Sequence, residues 1–413
     1  MKITLLRPPT FVPNADIYPY NIECIGMALK QDGHSVSMVD AEVIAGRELA
    51  RRIPRDKASK VLDNVFLKRK VAAQATAVEE MVSDPEGPMW HDIADRIAAQ
   101  EPEAVGVSCY TASMSATMII LRLLKKKAGD VPVILGGIHP TSVPEETLES
   151  VPEADYIVHG EGEPTIRELA AAIENGAGLS GIQGIGYREG GRPMITEPRP
   201  MIKDLGELPV CTFENAGPPY YSYVILTSRG CPYNCHYCSS KVMWGRRVRY
   251  RPPEHVAREI ANLKEKTGLT SLRFGDDTFT INKKHMRGIL ECMREKGVDD
   301  ISLSIGSRID TMDGERLEIL KELKVSHVSF GVETGSARMV DLIDKNIDLA
   351  DVVPTVKMVN DAGISTTTFF IINHTGETRE DMVATENLIN DLNKNCRLNE
   401  VELNVGFPYP ATP

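Results

Sequence analysis

The chain has 413 residues, 42% of them hydrophobic and 25% charged, with a formal net charge of −11. That length provides for two or three domains with ample core, and no apolar run approaches a membrane span. The acidic balance argues against a broad nucleic-acid surface, and eight cysteines, three of them in one short loop, fit a reducing compartment and a metal role better than a disulfide framework. Met1-Lys2-Ile3-Thr4-Leu5-Leu6 passes straight into a strand-like run without a signal-peptide layout, so a cytoplasmic location is expected.

Residues 2–6 alternate too little for an exposed strand and read as a buried parallel one. After the proline-rich loop 7–19, residues 22–31 read as a helix capped by Gly33, and 35–39 as the next strand, ending in Asp40. Strand, loop, helix, strand is one unit of a doubly wound sheet. A charged helical insertion follows over about residues 45–95; its pattern fits a lid, an interface or a spacer equally. The sheet resumes at 104–108, followed by Cys109-Tyr110-Thr111-Ala112-Ser113 and a helix to Lys127. Strand 131–135 runs into Gly136-Gly137-Ile138-His139-Pro140-Thr141, and strand 156–158 into His159-Gly160-Glu161-Gly162-Glu163. Three strands thus end in small or glycine-rich loops, which let a large flat ligand approach the backbone. The domain is expected to end near residue 185. In residues 186–222, Arg188-Glu189-Gly190-Gly191-Arg192-Pro193 reads as a hairpin turn and the proline-rich stretch over 198–219 as an ordered linker between domains.

From 223 onward, strands at 224–227, 271–275, 301–305, 327–332, 366–372 and 401–407 alternate with amphipathic helices. Six such units in about 190 residues make a partial barrel, since a closed eightfold one takes about 250. The last strand stops at Phe407-Pro408-Tyr409-Pro410, where a helix is the expected next element. The first strand leads through Thr227-Ser228-Arg229-Gly230 into Cys231-Pro232-Tyr233-Asn234-Cys235-His236-Tyr237-Cys238. Three thiolates on a strand-to-helix loop can hold three irons of a cubane cluster and leave the fourth open. The plain alternatives are three unrelated buried cysteines, or a zinc site completed by His236, although structural zinc commonly uses a second ligand pair and none follows nearby. The basic run 246–251 reads equally as a solvated loop and as a face toward an anionic cofactor or substrate.

This cysteine spacing resembles the radical S-adenosylmethionine (radical SAM) enzymes, and the glycine-rich elements before it resemble the cobalamin-binding domain of one large radical SAM branch. The fold class so implied is α/β: a Rossmann-like doubly wound cobalamin-binding domain over 1–185, a linker over 186–222, and a partial (β/α)6 TIM-type barrel over 223–413. The resemblance implies a [4Fe-4S] cluster on Cys231, Cys235 and Cys238, S-adenosylmethionine on its open iron, and cobalamin. It also implies Tyr237 beside adenine, and Asp276 or Asp277 on the amino group, with helix capping by Asp277 or Thr280 as the alternative. Ser304 and Arg308 are expected to end the third strand, Arg308 facing the methionine carboxylate, and Glu333 to meet the ribose. Ile372 belongs to the fifth-strand motif Ile371-Ile372-Asn373-His374-Thr375-Gly376-Glu377-Thr378, which departs from the family's Gly-x-Pro-Gly-Glu-Thr pattern. The departure offers Asn373 and His374 to the substrate, with a structural His374 as the alternative.

On the cobalamin side the implied contacts are Ser108, Tyr110, Thr111, Gly136, Gly137, His139, His159, Gly160 and Glu161, neither histidine being a cobalt ligand. Asp32-Gly33-His34 matches the cobalt-ligating Asp-x-His-x-x-Gly signature incompletely, with Ser37 in place of glycine, and reads as a surface turn. The function implied is methyl transfer to an unactivated carbon, or phosphorus, by way of a 5′-deoxyadenosyl radical and methylcobalamin. Three other readings are a rearrangement, cyclisation or carbon-carbon bond formation with the same cofactors; methylthiolation, for which Cys24, Cys109 and Cys211 are too scattered; and a non-catalytic cobalamin- or metal-binding regulator. The expected partners are a small-molecule or natural-product-like substrate and an electron donor such as flavodoxin or ferredoxin, without nucleic acid or membrane span.

Overall fold

The computed structural model describes residues 1–11, 16–52 and 64–412. Two compact units divide the chain, one of Met1–Pro200 with Pro218–Tyr221, the other of Met201–Gly217 with Ser222–Pro413.

The first unit is built on a seven-stranded sheet. Its strands are β1 (Lys2–Arg7), β2 (Ser35–Asp40), β3 (Ala104–Ser108), β4 (Val133–Gly136), β5 (Tyr156–Val158), β6 (Ile185–Glu189) and β7 (Arg192–Ile195), in the order β2-β1-β3-β4-β5-β6-β7. The first five are parallel, and β6 and β7 add antiparallel. Helices cover both faces, so β1 is buried through Ile3, Thr4, Leu5 and Leu6, as its unbroken apolar pattern requires. Those helices are α1 (Tyr20–Gln31), α2 (Ala41–Arg52), α3 (Asn64–Ser83), α4 (Pro88–Ala98), α5 (Met114–Ala128), the short α6 (Ile138–Ser142) and α7 (Pro144–Ser150), and α8 (Gly162–Asn175).

Two expectations change here. Within the helical stretch 45–95, α4 is no appendage: Trp90, Ile93, Ala94 and Ile97 are fully buried in the core with Val105 and Val107 of β3. Its four apolar positions recur at helical spacing, so α4 is the covering helix of the β2-to-β3 crossover, while residues 53–63 lie outside the described part. The turn at 188–193 is a hairpin whose Gly190 and Gly191 both take positive φ, at 57° and 81°, and its strands extend the first sheet instead of entering a linker.

In the second unit, β8 (Val224–Ile225), β11 (Ser271–Phe274), β12 (Ser302–Ser307), β13 (Val325–Glu333), β14 (Ser365–Ile372) and β15 (Leu398–Val405) form one parallel sheet in the order β15-β14-β13-β12-β11-β8. A small antiparallel ribbon of β9 (Ser228–Arg229) and β10 (Arg249–Tyr250) flanks the cysteine loop. The helices are α9 (Ser240–Trp244), α10 (Pro253–Thr267), α11 (Lys283–Glu295), α12 (Gly314–Glu322), α13 (Ala337–Leu342), α14 (Val352–Asp361) and α15 (Arg379–Asn395). Six strands in sequence order, all parallel, are the expected (β/α)6 arrangement. The stretch 201–217 is tied to α10, where Cys211 N–H donates to Glu259 Oε1 at 2.8 Å and Glu259 pairs with Arg251 at 2.7 Å. Both charges are at least 96% buried, so removing either partner would cost about 3–5 kcal/mol.

Candidate active site

The cysteine loop is aimed by its first residue. Gly230 has φ 97°, and a Cβ there would lie 2.5 Å from the Arg247 carbonyl oxygen, so only glycine permits the β9–β10 ribbon to close under the loop. The loop then folds on itself and onto the barrel. Cys238 N–H donates to the Cys235 carbonyl at 3.2 Å, His236 N–H to Ile343 at 2.9 Å, and the Asn234 side chain to Asp344 at 2.8 Å. Cys235 is buried, whereas Cys231 and Cys238 are half-buried. Burial pushes the Cys231 and Cys238 thiols up, so a metal taking them as ligands must displace their protons. Among the described residues no three ligating side chains converge on a single ion. A cubane asks for less convergence, because each cysteine binds a different corner.

Arg308 follows β12, 4% exposed, and its donors are already engaged. Nε and Nη2 grip Asp310 at 2.8 and 3.1 Å, Nη2 also reaches the Lys345 carbonyl at 2.6 Å, and Nη1 points at Cys235 Sγ at 3.7 Å. Its guanidinium carbon stands 3.6 Å from the Tyr233 ring centroid. In this structure the fork holds Asp310, and the remaining edge faces the cysteine loop.

Lys345, which sequence reasoning missed, is a buried cation beside the cysteine loop. Only 4% exposed, its Nζ lies 3.1 Å from both Glu333 Oε1 and the Tyr237 hydroxyl. Asp344 and Asn346 on either side take positive φ, 52° and 53°, which turns the lysine back under β13. Glu333 itself has φ 75° at a register shift between Gly331 and Glu333, a strained conformation of the kind that costs about 1–3 kcal/mol and collects at functional sites. Gly331 makes room for the pair, since a Cβ there would lie 2.5 Å from Glu333 Oε1. Burial raises the Tyr237 phenol and keeps it protonated. His374 packs against Tyr237 at 5.7 Å between ring centroids, its Nε2 buried without a partner. The Glu377 carboxylate accepts from Asn373 and His374 N–H and closes that turn.

The two aspartates after β11 separate cleanly. Asp276 accepts from Thr227 N–H, the Thr227 hydroxyl and Ser228 N–H at 2.8, 2.7 and 2.6 Å, and is a structural clamp. Asp277 is bound to the Ser240 hydroxyl at 2.6 Å and interacts electrostatically with Cys231 and Cys238, so it is the one facing the loop. Neither Asp277 nor Thr280 caps α11; Asn282 does, accepting from His285 N–H at 3.2 Å. Ser304 is mid-strand, in register with Arg273 and His327, and does not end β12 as expected. Ile372 ends β14 with its carbonyl held by Gly406 N–H at 2.6 Å.

In the first unit the expected contacts gather at the carboxyl ends of β3, β4 and β5. Ser108 accepts from Asn21 at 2.6 Å, Thr111 and His139 are joined at 3.0 Å, and Gly160 N–H donates to the Thr141 hydroxyl at 3.0 Å. Tyr110 is 49% exposed beside them, and Glu161 leads buried into α8. Gly137, with φ 102°, is demanded by the backbone: a Cβ there would lie 2.8 Å from the Cys109 carbonyl. Gly160, with φ 82°, faces open space, and Gly136 has only ordinary contacts. His159 is 7% exposed, burial holds its ring below the usual imidazole range, and its Nε2 has no partner. A buried orphan acceptor or donor beside an open glycine loop is what a bound ligand would satisfy. His34, read as a surface turn residue, is instead buried, its Nδ1 3.2 Å from the Met1 ammonium, and it sits at the helix-to-strand turn away from these loops.

The profile of the radical SAM superfamily matches residues 225–389, and that of the B12 binding domain residues 63–170. An uncharacterized methyltransferase of Pyrococcus horikoshii is 34% identical over 329 residues, covering 78% of this chain and 71% of that protein. The chain belongs to the cobalamin-dependent radical SAM family. The anaerobic magnesium-protoporphyrin IX monomethyl ester cyclase of Synechocystis is 28% identical, and there the chain spans 61% of the relative's length. Among solved structures, the radical S-adenosylmethionine methyltransferase TsrM from Kitasatospora setae, with cobalamin and a [4Fe-4S] cluster bound, matches 98% of this chain and 72% of its own at TM-score 0.75 and 18% identity. That likeness carries the fold.

The family's cofactors are a [4Fe-4S] cluster, S-adenosylmethionine and cobalamin, and the residues present fit all three. Cys231, Cys235 and Cys238 supply three thiols on one loop; Tyr237, Asp277, Glu333 and Lys345 supply an aromatic wall, two carboxylates and a cation around it; the His159 ring and the loops after β3, β4 and β5 offer an unsatisfied nitrogen beside open backbone. No helix among the described residues is long and apolar enough to cross a membrane.

Proposed function

We propose that this chain is a cytoplasmic methyltransferase that places a methyl group on an unactivated carbon, or phosphorus, of a small natural-product-like molecule. The bound cofactors would supply a primary alkyl radical and a transferable methyl group. The chain's own residues bind, orient and shield. The cysteine loop would hold the cluster, Asp277 would accept from the ammonium of S-adenosylmethionine, and Lys345 would balance its carboxylate. Glu333 would take the ribose hydroxyls while Lys345 keeps its charge tolerable in a buried site. Neutral His159, buried and with an unpartnered Nε2, would accept from an amide of the corrin rim through that atom. Electrons would come from a flavodoxin- or ferredoxin-like carrier.

The single observation that favours methyl transfer over other uses of the same cofactors is the 34% identical relative, an uncharacterized methyltransferase, of which this chain covers 71%. The cyclase relative, at 28%, supports a second reading in which the substrate radical closes a ring and no methyl group moves. By-products separate the two. A methyl transfer consumes one S-adenosylmethionine as methyl donor, leaving S-adenosylhomocysteine, and a second as radical source, leaving 5′-deoxyadenosine. Anaerobically reconstituted protein given a metabolite extract, reductant and S-adenosylmethionine is expected to release both in about equal amounts. Substrate-dependent 5′-deoxyadenosine without S-adenosylhomocysteine would establish the cyclase-like reading instead.

A further inference from the structure

We propose that Arg308 is a redox-positioning residue: it directs an N–H at the thiolate sulfur of Cys235 and thereby raises the reduction potential of the cluster. The proposal rests on the reading of Cys231, Cys235 and Cys238 as cluster ligands. Its basis is where the guanidinium can and cannot go. Three of its hydrogen bonds are to fixed protein acceptors, two to Asp310 and one to the Lys345 carbonyl, and its face lies 3.6 Å from the Tyr233 ring. Held in plane and in position, Nη1 is left on the edge that meets Cys235 Sγ at 3.7 Å. Cys235 is the most enclosed of the three cysteines, and Arg308 is 4% exposed, so water screens this contact little. Arginine suits the task because it stays protonated and its fork is rigid, whereas lysine would bring a mobile point charge.

The direction of the effect follows from charge. Reduction adds an electron to an already anionic cluster, and a cationic N–H donor on a ligating sulfur stabilises the reduced form more than the oxidised one. Hydrogen bonds to sulfur, net charge and exposure are the protein's levers on such potentials. Asp310 does not cancel the effect, because it binds the opposite edge of the fork and is itself partly exposed. Arg308 thus acts through Cys235.

The test uses the full chain, reconstituted with iron and sulfide, without S-adenosylmethionine. Parent, Arg308→Gln and Arg308→Lys are compared by iron content and by redox titration followed with electron paramagnetic resonance. Arg308→Gln is expected to keep its iron and titrate at a more negative potential, with about a tenfold lower reduced-to-oxidised ratio at the parent's midpoint, which for one electron is about 59 mV. Arg308→Lys is expected to fall between the two. A second measurement needs no variant: parent protein labelled with nitrogen-15 in its arginine guanidinium groups is expected to show that nucleus coupled to the cluster spin in pulsed spectra. An unchanged midpoint in an iron-replete variant, or an absent nitrogen coupling in the parent, would overturn the proposal and leave the cluster reading intact. A parent that takes up no iron would instead overturn the reading on which it rests.

Discussion

Lys345 and Glu333 show how one side chain depends on another in this site. Glu333 is a buried carboxylate in a strained backbone, and Lys345 Nζ at 3.1 Å is the charge that makes its ionised form tolerable. Substituting Lys345→Met leaves an uncompensated buried carboxylate, and the expected loss in urea unfolding is about 3–5 kcal/mol. Adding Glu333→Gln removes the orphan charge, so the double variant is expected to recover most of that loss. A double variant no more stable than Lys345→Met would show that the lysine stabilises through packing alone. Of these residues, the sequence displayed Glu333 plainly, because an acidic residue in an apolar strand needs a reason. Lys345 carries no such mark in the sequence, and the left-handed turns at Asp344 and Asn346 bring it beside Glu333.

At the scale of elements, the chain entering the cysteine loop is held by a small buried polar cluster. Asp276 clamps Thr227 and Ser228, His285 Nε2 lies 3.2 Å from the Thr227 hydroxyl, and Tyr250 stacks on His285 at 4.7 Å. That clamp ends β8 after two residues and divides it from β9, where a continuous strand over 224–227 was expected. Burial pushes Asp276 up to about 6 and His285 down to about 4. Between pH 4 and 6 folded Asp276 keeps a proton that the unfolded chain has lost, so this group's contribution to stability falls as pH rises. Folded His285 lacks a proton that the unfolded chain binds up to its ordinary value near 6.5, so its contribution rises with pH. The two slopes oppose each other in the parent. His285→Phe, which keeps the stacking partner for Tyr250, removes the rising one. Relative to the parent, its stability is expected to fall on the order of 3 kcal/mol between pH 4 and 7. Parallel curves for the two proteins, by urea unfolding at several pH values, would show that His285 titrates normally.

Taken whole, the molecule carries its two sets of expected cofactor contacts in different units, the loops around His159 in one and the cysteine loop in the other. Cys235→Ala is therefore expected to lose iron after anaerobic reconstitution and to retain cobalt, measured together by elemental analysis on protein grown with cobalamin. Loss of both metals from a folded variant would show that cobalamin binding depends on the cluster.

Most of the order of elements was legible because hydrophobic period and glycine-rich strand ends are local patterns, and so is the cysteine spacing, which lies within one loop; the hairpin strands β6 and β7, placed in the linker, were not. Sequence alone accordingly determined the two α/β architectures and the family, and singled out Cys231, Cys235 and Cys238 as the expected cluster ligands. Tertiary structure decided which of two adjacent aspartates faces the loop, that Arg308 turns to Asp310 and Cys235, that Lys345 answers Glu333, and that α4 belongs to the core. Apart from Arg308 and Asp310, two positions apart, these are meetings set by backbone turns and packing across the chain, and side chains of like chemistry carry no mark in sequence of which partner they will find.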